Sequence, residues 1–93
     1  MSKFKGTPGP WGVRESSLSV SVVGQNGEVV FHESDKRIPG VMEDARLISA
    51  APELLESLQY AVDVLEDLDM NLLHNVVENG KAAIAKALGE DAP

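Results

Sequence analysis

The stretch Ala45-Arg46-Leu47-Ile48-Ser49-Ala50-Ala51-Pro52-Glu53-Leu54-Leu55-Glu56-Ser57-Leu58 decides how this 93-residue chain folds. A proline inside a straight helix loses one ladder hydrogen bond and drives its ring against the carbonyl four residues back, here that of Ile48. In the first turn of a helix the same residue is pre-organised, because its missing N–H has no partner there anyway. Pro52 therefore predicts one helix over about Val41–Ala50, a sharp kink or break near Ala51, and a second helix over about Pro52–Leu68. In the first, Val41, Ala45 and Ile48 share a face, with Leu47 beside it. In the second, Leu54, Leu55, Leu58, Ala61, Val62, Leu65 and Leu68 recur at steps of one, three and four, which reads as a wide core stripe. Tyr60 and Val64 fall outside it, four residues apart with Ser57 behind them, as a second and weaker apolar strip.

C-terminal to this stretch, Asp67-Leu68-Asp69-Met70-Asn71 has turn and cap character, and a third helix is expected over about Asn71–Leu88. Leu72, Leu73, Val76, Val77, Ala83, Ile84, Ala87 and Leu88 would line one of its faces. Gly80 falls on that face and costs about 1 kcal/mol against Ala in a helix interior, so it marks either close helix packing or a break. Gly89 suits a C-cap. N-terminal to it, three short strands are expected: Trp11–Glu15, then Ser17–Val23 with Leu18, Val20 and Val22 alternating against Ser17, Ser19 and Ser21, then Glu28–Glu33 with either Val29 and Phe31 or Val30 and His32 facing the core, Phe31 favouring the first register. Asn26-Gly27 in the second connection suits positive φ. The fold class is α+β, a three-stranded antiparallel β-meander followed by two or three α-helices packed on one face. Residues 1–93 are expected to form a single small domain, with 1–6 and 89–93 as frayed tails.

The composition narrows the function classes. There is no cysteine, which removes disulfide scaffolds, thiol catalysis and Cys-based zinc sites. No apolar run approaches the length of a membrane span, so no membrane association is expected. The net charge of −7 is uneven. Residues 1–40 carry five Lys/Arg against four acids, whereas residues 41–93 carry three against eleven. The C-terminal half would repel a phosphate backbone, and direct nucleic-acid binding is not expected. Aromatic residues are few, and a core of Leu, Val, Ile and Ala in so short a chain gains from a second protomer.

No chemistry-bearing constellation emerges. Asp67, Asp69, Asn71, Asn75 and Glu78 match ligand places of a twelve-residue calcium loop, but Leu72 stands where the loop turns on Gly and His74 where an apolar residue is usual. A helical stripe through Leu72, Leu73, Val76 and Val77 scatters those ligands and is the preferred reading. His32 and Glu33 are strand neighbours and point to opposite faces, so they do not converge on a metal. The carboxylates Asp63, Glu66 and Asp67 sit on the polar face of the second helix, without the burial that tunes a catalytic acid. Neither an enzyme, nor a cofactor, nor a metal is expected.

Two blocks, Thr7-Pro8-Gly9-Pro10-Trp11 and Ala45–Leu58, resemble a family of small proteins encoded by tailed bacteriophages and prophages, whose biochemical role is mostly unassigned. Gly27-Glu28-Val29-Val30 and the Ala-rich run Lys81–Ala87 add weaker likeness. Asp44 stands where relatives usually have Asn, and Ser49 and Ser57 where Ala is usual. The resemblance implies a phage or prophage origin and action in the bacterial host cytoplasm, and it brings no catalytic residue. Arg46 is the one residue of the second block whose charge packing does not demand; it suits an ion pair with Glu43 or Asp44, or a partner contact.

The expected function is that of a non-enzymatic accessory protein that binds a host or phage protein, as a homodimer. Its expected contact residues are Tyr60, Val64, Asp63, Glu66, Asp67 and Arg46. Two alternatives stand beside it. One is an acidic DNA mimic that blocks a host DNA-binding or defence protein. The other is a binder of a small nucleotide signal, for which Lys36-Arg37 is the close basic pair.

Overall fold

A computed structural model describes residues 3–68 and 74–90. The element order is β1 (Gly12–Glu15), β2 (Val20–Val23), β3 (Val29–Glu33), α1 (Val41–Ser49), α2 (Ala51–Asp67) and α3 (His74–Leu88). The strands form an open antiparallel sheet in the order β1-β2-β3, and with the helices they make the expected α+β fold. The chain divides into two compact units, Gly6–Glu53 on the one hand and Met1–Lys5 with Leu54–Pro93 on the other.

The unit Gly6–Glu53 holds the sheet and α1. Val20 and Val22 are fully buried, and with Val41 and Ala45 of α1 they form its core, onto which Trp11, Val30, Phe31, Met42 and Ile48 pack. Alternation along β2 explains why Val20 and Val22 point the same way. Trp11 enters through the proline-rich lead-in, and its indole N–H donates to the Thr7 carbonyl at 3.1 Å. The Gly9–Pro10 peptide is cis. Gly9 lies so close to Pro52 that a Cβ there would stand 2.7 Å from the Pro52 Cβ. The two sequence blocks that bracket the unit therefore meet at a glycine and a proline.

Two expectations about the strands fail, each for a local reason. Leu18 does not continue β2 inward but is 72% exposed. The Ser16 hydroxyl accepts hydrogen bonds from the N–H groups of Leu18 at 3.3 Å and Ser19 at 3.0 Å, and the Ser16 N–H donates to the Ser19 carbonyl. A serine that captures downstream amides ties the chain into a turn instead of a ladder. Val29 is also exposed. Val22 pairs with Phe31 but Val23 pairs with Val29, so Val30 is an extra residue in β3. This bulge puts both Val30 and Phe31 on the core and turns Val29 away. The Gly24–Gly27 turn forms as expected, with Gly27 at φ 85°.

Helix α1 ends at Ser49, and Ala50 caps it before α2 begins at Ala51, with Pro52 in the first turn. The break near Ala51 is thus observed. Leu47, beside the core face, is exposed.

In the unit that contains most of α2 and α3, Val62 and Ile84 are the buried apolar side chains among the described residues, and Gly80 is buried with them. A Cβ on Gly80 would lie 2.6 Å from Val62 Cγ2 and 3.6 Å from Leu58 Cδ1. Gly80 therefore marks close packing and not a break, since α3 runs unbroken through it. The Glu90 N–H donates to the Ala85 carbonyl at 2.8 Å past Gly89 at φ 74°, which caps α3 as a Schellman turn. The wide stripes are only half used. Leu55, Leu58, Val62 and Leu65 are buried or half-buried, whereas Leu54, Ala61 and Leu68 are exposed. On α3, Val77, Gly80, Ile84 and Leu88 turn inward while Val76, Ala83 and Ala87 are exposed. One helix seated on another buries a narrow seam, so the rest of a wide stripe faces water. Leu72 and Leu73, expected on the α3 stripe, lie outside the described residues.

Gly80→Ala tests the close approach. Val62 is buried and β-branched, so it cannot swing aside. Overpacking of about 1–3 kcal/mol outweighs the helix-propensity gain of about 1 kcal/mol, and a lower urea midpoint is expected. Adding Val62→Ala should recover part of that loss, a coupling read from the double-mutant cycle. In the sheet unit, Val22→Ala should cost about 1–3 kcal/mol in the same measurement, through lost transfer energy and a cavity.

Candidate functional site

The feature that packing leaves unexplained is the outer side of α2. Leu54, Tyr60, Val64 and Leu68 are 54, 74, 40 and 57% exposed, and Ser57 and Ala61 are exposed between them. Leu54, Ser57, Ala61, Val64 and Leu68 follow one another at steps of three, four, three and four. That spacing places them in one line along a helix. The Leu68 N–H donates to the Val64 carbonyl at 3.2 Å, which carries the line one residue past the formal end of α2. Of the expected strip, Tyr60 and Val64 are both exposed; Val64 lies on this line and Tyr60 beside it. Leu54, Ala61 and Leu68, assigned by periodicity to the core, widen the strip into a ridge.

A second row runs beside the ridge. Glu56, Tyr60, Asp63 and Asp67 are spaced four, three and four apart, and all four are exposed. Three of them are acids, and α2 contains no Lys or Arg. Glu66 is set apart from this row. Its carboxylate takes an ion pair from Lys81 of α3 at 2.8 Å, and Lys81 also lies 3.9 Å from Glu78. The hydrogen bond to Glu66 and its charge hold the Lys81 pKa above the usual lysine value, with a smaller contribution from Glu78. Of the acids expected at a contact, Asp63 and Asp67 lie beside the ridge, and Glu66 is occupied in joining α2 to α3.

Arg46 belongs to the sheet unit. Its guanidinium lies 3.9 Å from Glu43 one helical turn back, with both side chains well exposed. The expected ion pair is observed, in an environment where such pairs contribute little.

The basic pair Lys36-Arg37 is also accounted for. Lys36 Nζ donates to Glu15 at 3.0 Å, and Arg37 Nε donates to Asp35 at 2.9 Å, with its Nη2 at 3.3 Å from the other oxygen. The Arg37 side chain and backbone N–H pull the Asp35 pKa below the usual aspartate range, and Asp35 in turn raises that of Arg37. Asp35, Lys36 and Arg37 line a shallow cleft of ≈ 230 Å³ together with Ser17, Leu18 and Ser34. Both cations there already face carboxylates.

His32 lies on the sheet face turned away from α1, where its Nδ1 and the Ser21 hydroxyl are 2.7 Å apart. Glu33 instead accepts the Asp35 N–H, as strand alternation requires. Of the calcium-loop residues, Asp69 and Asn71 lie outside the described residues, and Asn75 and Glu78 are on α3. Among the described residues no group of three or more His, Cys, Asp and Glu is placed to hold a metal ion, and no helix is long and apolar enough to cross a membrane.

The family model described as Salmonella phage P22 protein Y8K6 matches residues 1–91. The chain belongs to this phage family. The match bears out the phage origin read from the sequence, and the description attaches no activity to the family. No curated protein and no solved structure matches the chain. Sequence reasoning missed the ridge because it gave every Leu of α2 to the core. The signal that finds it is the three-four-three-four line containing Ser57 and Ala61, offset from the line through Leu55, Leu58, Val62 and Leu65.

The Lys81 pair makes a pH-dependent contribution of defined sign. A pKa raised by folding stabilises fully below the unfolded-state value and loses that contribution as pH rises through the folded-state value. Melting temperature followed from neutral pH to beyond about pH 10.4, the ordinary lysine pKa, should fall more steeply for the wild type than for Lys81→Met. On the acid side the contribution of Asp35 has the opposite sign: it is present above the unfolded aspartate pKa and is lost as pH falls through the lowered one.

Proposed function

We propose that this phage protein is a non-enzymatic accessory protein that acts in the bacterial host cytoplasm by binding a host or phage protein, with the outer ridge of α2 as its contact surface. The observation that carries this reading is the line Leu54, Ser57, Ala61, Val64 and Leu68, an apolar strip on one helix that the chain's own packing leaves in water. Scattered surface hydrophobes need no explanation, but a contiguous strip edged by polar residues is characteristic of an interaction site. Among the described residues, the charged groups with shifted pKa are Asp35, Arg37 and Lys81, each shifted mainly by its ion-pair partner.

The alternative functions have less support. A DNA mimic needs an unbroken row of carboxylates, whereas Lys81 neutralises Glu66 and the acids of α2 share their surface with Tyr60, Val64 and Leu68. A nucleotide binder needs cations free to meet phosphate, whereas Lys36 and Arg37 are paired with Glu15 and Asp35. Self-association through the same ridge, as a homodimer, is measured by sedimentation of the purified chain.

The test is affinity capture from host lysate with the tagged protein, scored by mass spectrometry. A partner retained by the wild type should be lost with Val64→Asp and reduced at least several-fold with Tyr60→Ala. Leu18→Ser, which removes an exposed leucine in the sheet unit, should retain it. Retention unchanged by both α2 variants would overturn the assignment of the contact surface.

A further inference from the structure

We infer that the occupant of the α2 ridge is a basic amphipathic helix of a partner protein, seated along Leu54–Leu68 with its cationic flank on Glu56, Asp63 and Asp67. This inference rests on the preceding reading of the ridge as a contact surface and deepens it by naming the chemistry of the partner.

Three observations point to this occupant. The first is geometry. The ridge follows one line along α2 from Leu54 to Leu68, a surface along which a second helix can lie side by side. The second is shape. The line runs large, small, small, medium, large through Leu54, Ser57, Ala61, Val64 and Leu68. It is lowest at Ser57 and Ala61, where a partner helix can place a large apolar side chain. The third is charge. The row beside the ridge carries Glu56, Asp63 and Asp67, all exposed, with no cation anywhere on α2 to offset them. Tyr60 stands in the same row, 74% exposed, with its ring available to a lysine or arginine.

A second copy of this chain fits the same surface poorly. Two ridges placed face to face bring two acidic rows together without a compensating base. A helix with Lys or Arg along one edge of an apolar stripe supplies that base.

The test uses the full-length protein and two synthetic helical peptides of about 18 residues, roughly the length of α2. Both carry Leu at the same three-four spacing, one with Lys and the other with Glu at the flanking positions. Binding is measured by fluorescence anisotropy at low and high salt. The Lys peptide should bind at least about 10-fold tighter than the Glu peptide, and this preference should shrink as salt screens the flank. Asp63→Asn with Asp67→Asn should weaken the Lys peptide alone. Ala61→Trp leaves every charge in place and fills the low point of the ridge, so it should abolish binding; a Lys peptide that still binds this variant is a non-specific counterion and overturns the inference. Equal binding of the two peptides also overturns it, while leaving the ridge as an apolar contact. Binding of neither peptide, with wild-type chain that sediments as a dimer and Ala61→Trp chain that sediments as a monomer, overturns it in favour of a second copy. Binding of neither peptide by a monomeric chain removes the ridge as a contact surface altogether.

Discussion

Pro52 is the constraint on which the arrangement of the chain depends. It has no N–H to offer the Ile48 carbonyl, so α1 must end before it and α2 must begin around it. Its ring occupies the space above Gly9, where even a Cβ would intrude at 2.7 Å. The proline-rich lead-in is thereby seated at the α1–α2 junction and delivers Trp11 onto the core that β2 and α1 form around Val20, Val22, Val41 and Ala45. One residue that cannot continue a helix thus also places the start of the sheet.

The second unit depends on a different close approach. Gly80 brings the α3 backbone against Val62 and Leu58, and the Lys81–Glu66 pair sits one residue on, where the same turn of α3 meets α2. Narrow contact at a glycine has a consequence for the surface. Helices that meet closely over a small residue bury a thin seam, and the apolar stripes of α2 and α3 are wider than that seam. The remainder on α2 is continuous from Leu54 to Leu68 and lies beside an acidic row. The functional surface proposed here is therefore what is left of a core stripe once packing has taken its share.

The charge distribution assigns different tasks to residues that look alike in the sequence. Glu66 is one of a run of acids with Asp63 and Asp67, yet only Glu66 faces Lys81. Arg37 and Lys36 are a conspicuous basic pair, but each holds a carboxylate of its own unit. Arg46 satisfies Glu43. Among the described residues, the acids of α2 without an ion pair are Glu53, Glu56, Asp63 and Asp67, and the last three border the ridge, so charge and exposed apolar area lie side by side on one helix.

Constraints that act within a few residues were legible from the sequence alone. The break before Pro52, the Gly24–Gly27 turn, the Gly89 cap, the inward Val20 and Val22 and the order of three strands and three helices follow from missing N–H groups, positive φ and alternation. Those causes need no knowledge of neighbours. The phage origin was legible as well, from two short blocks of residues. Tertiary structure alone decided which apolar residues were buried. Leu18 turned outward because Ser16 captured its amide, Val29 because an extra residue in β3 shifted the register, and Leu54, Ala61 and Leu68 because the surface facing them did not exist. Periodicity states which residues share a face of a helix, but burial is a property of two surfaces, and only the folded chain shows where the second one is missing.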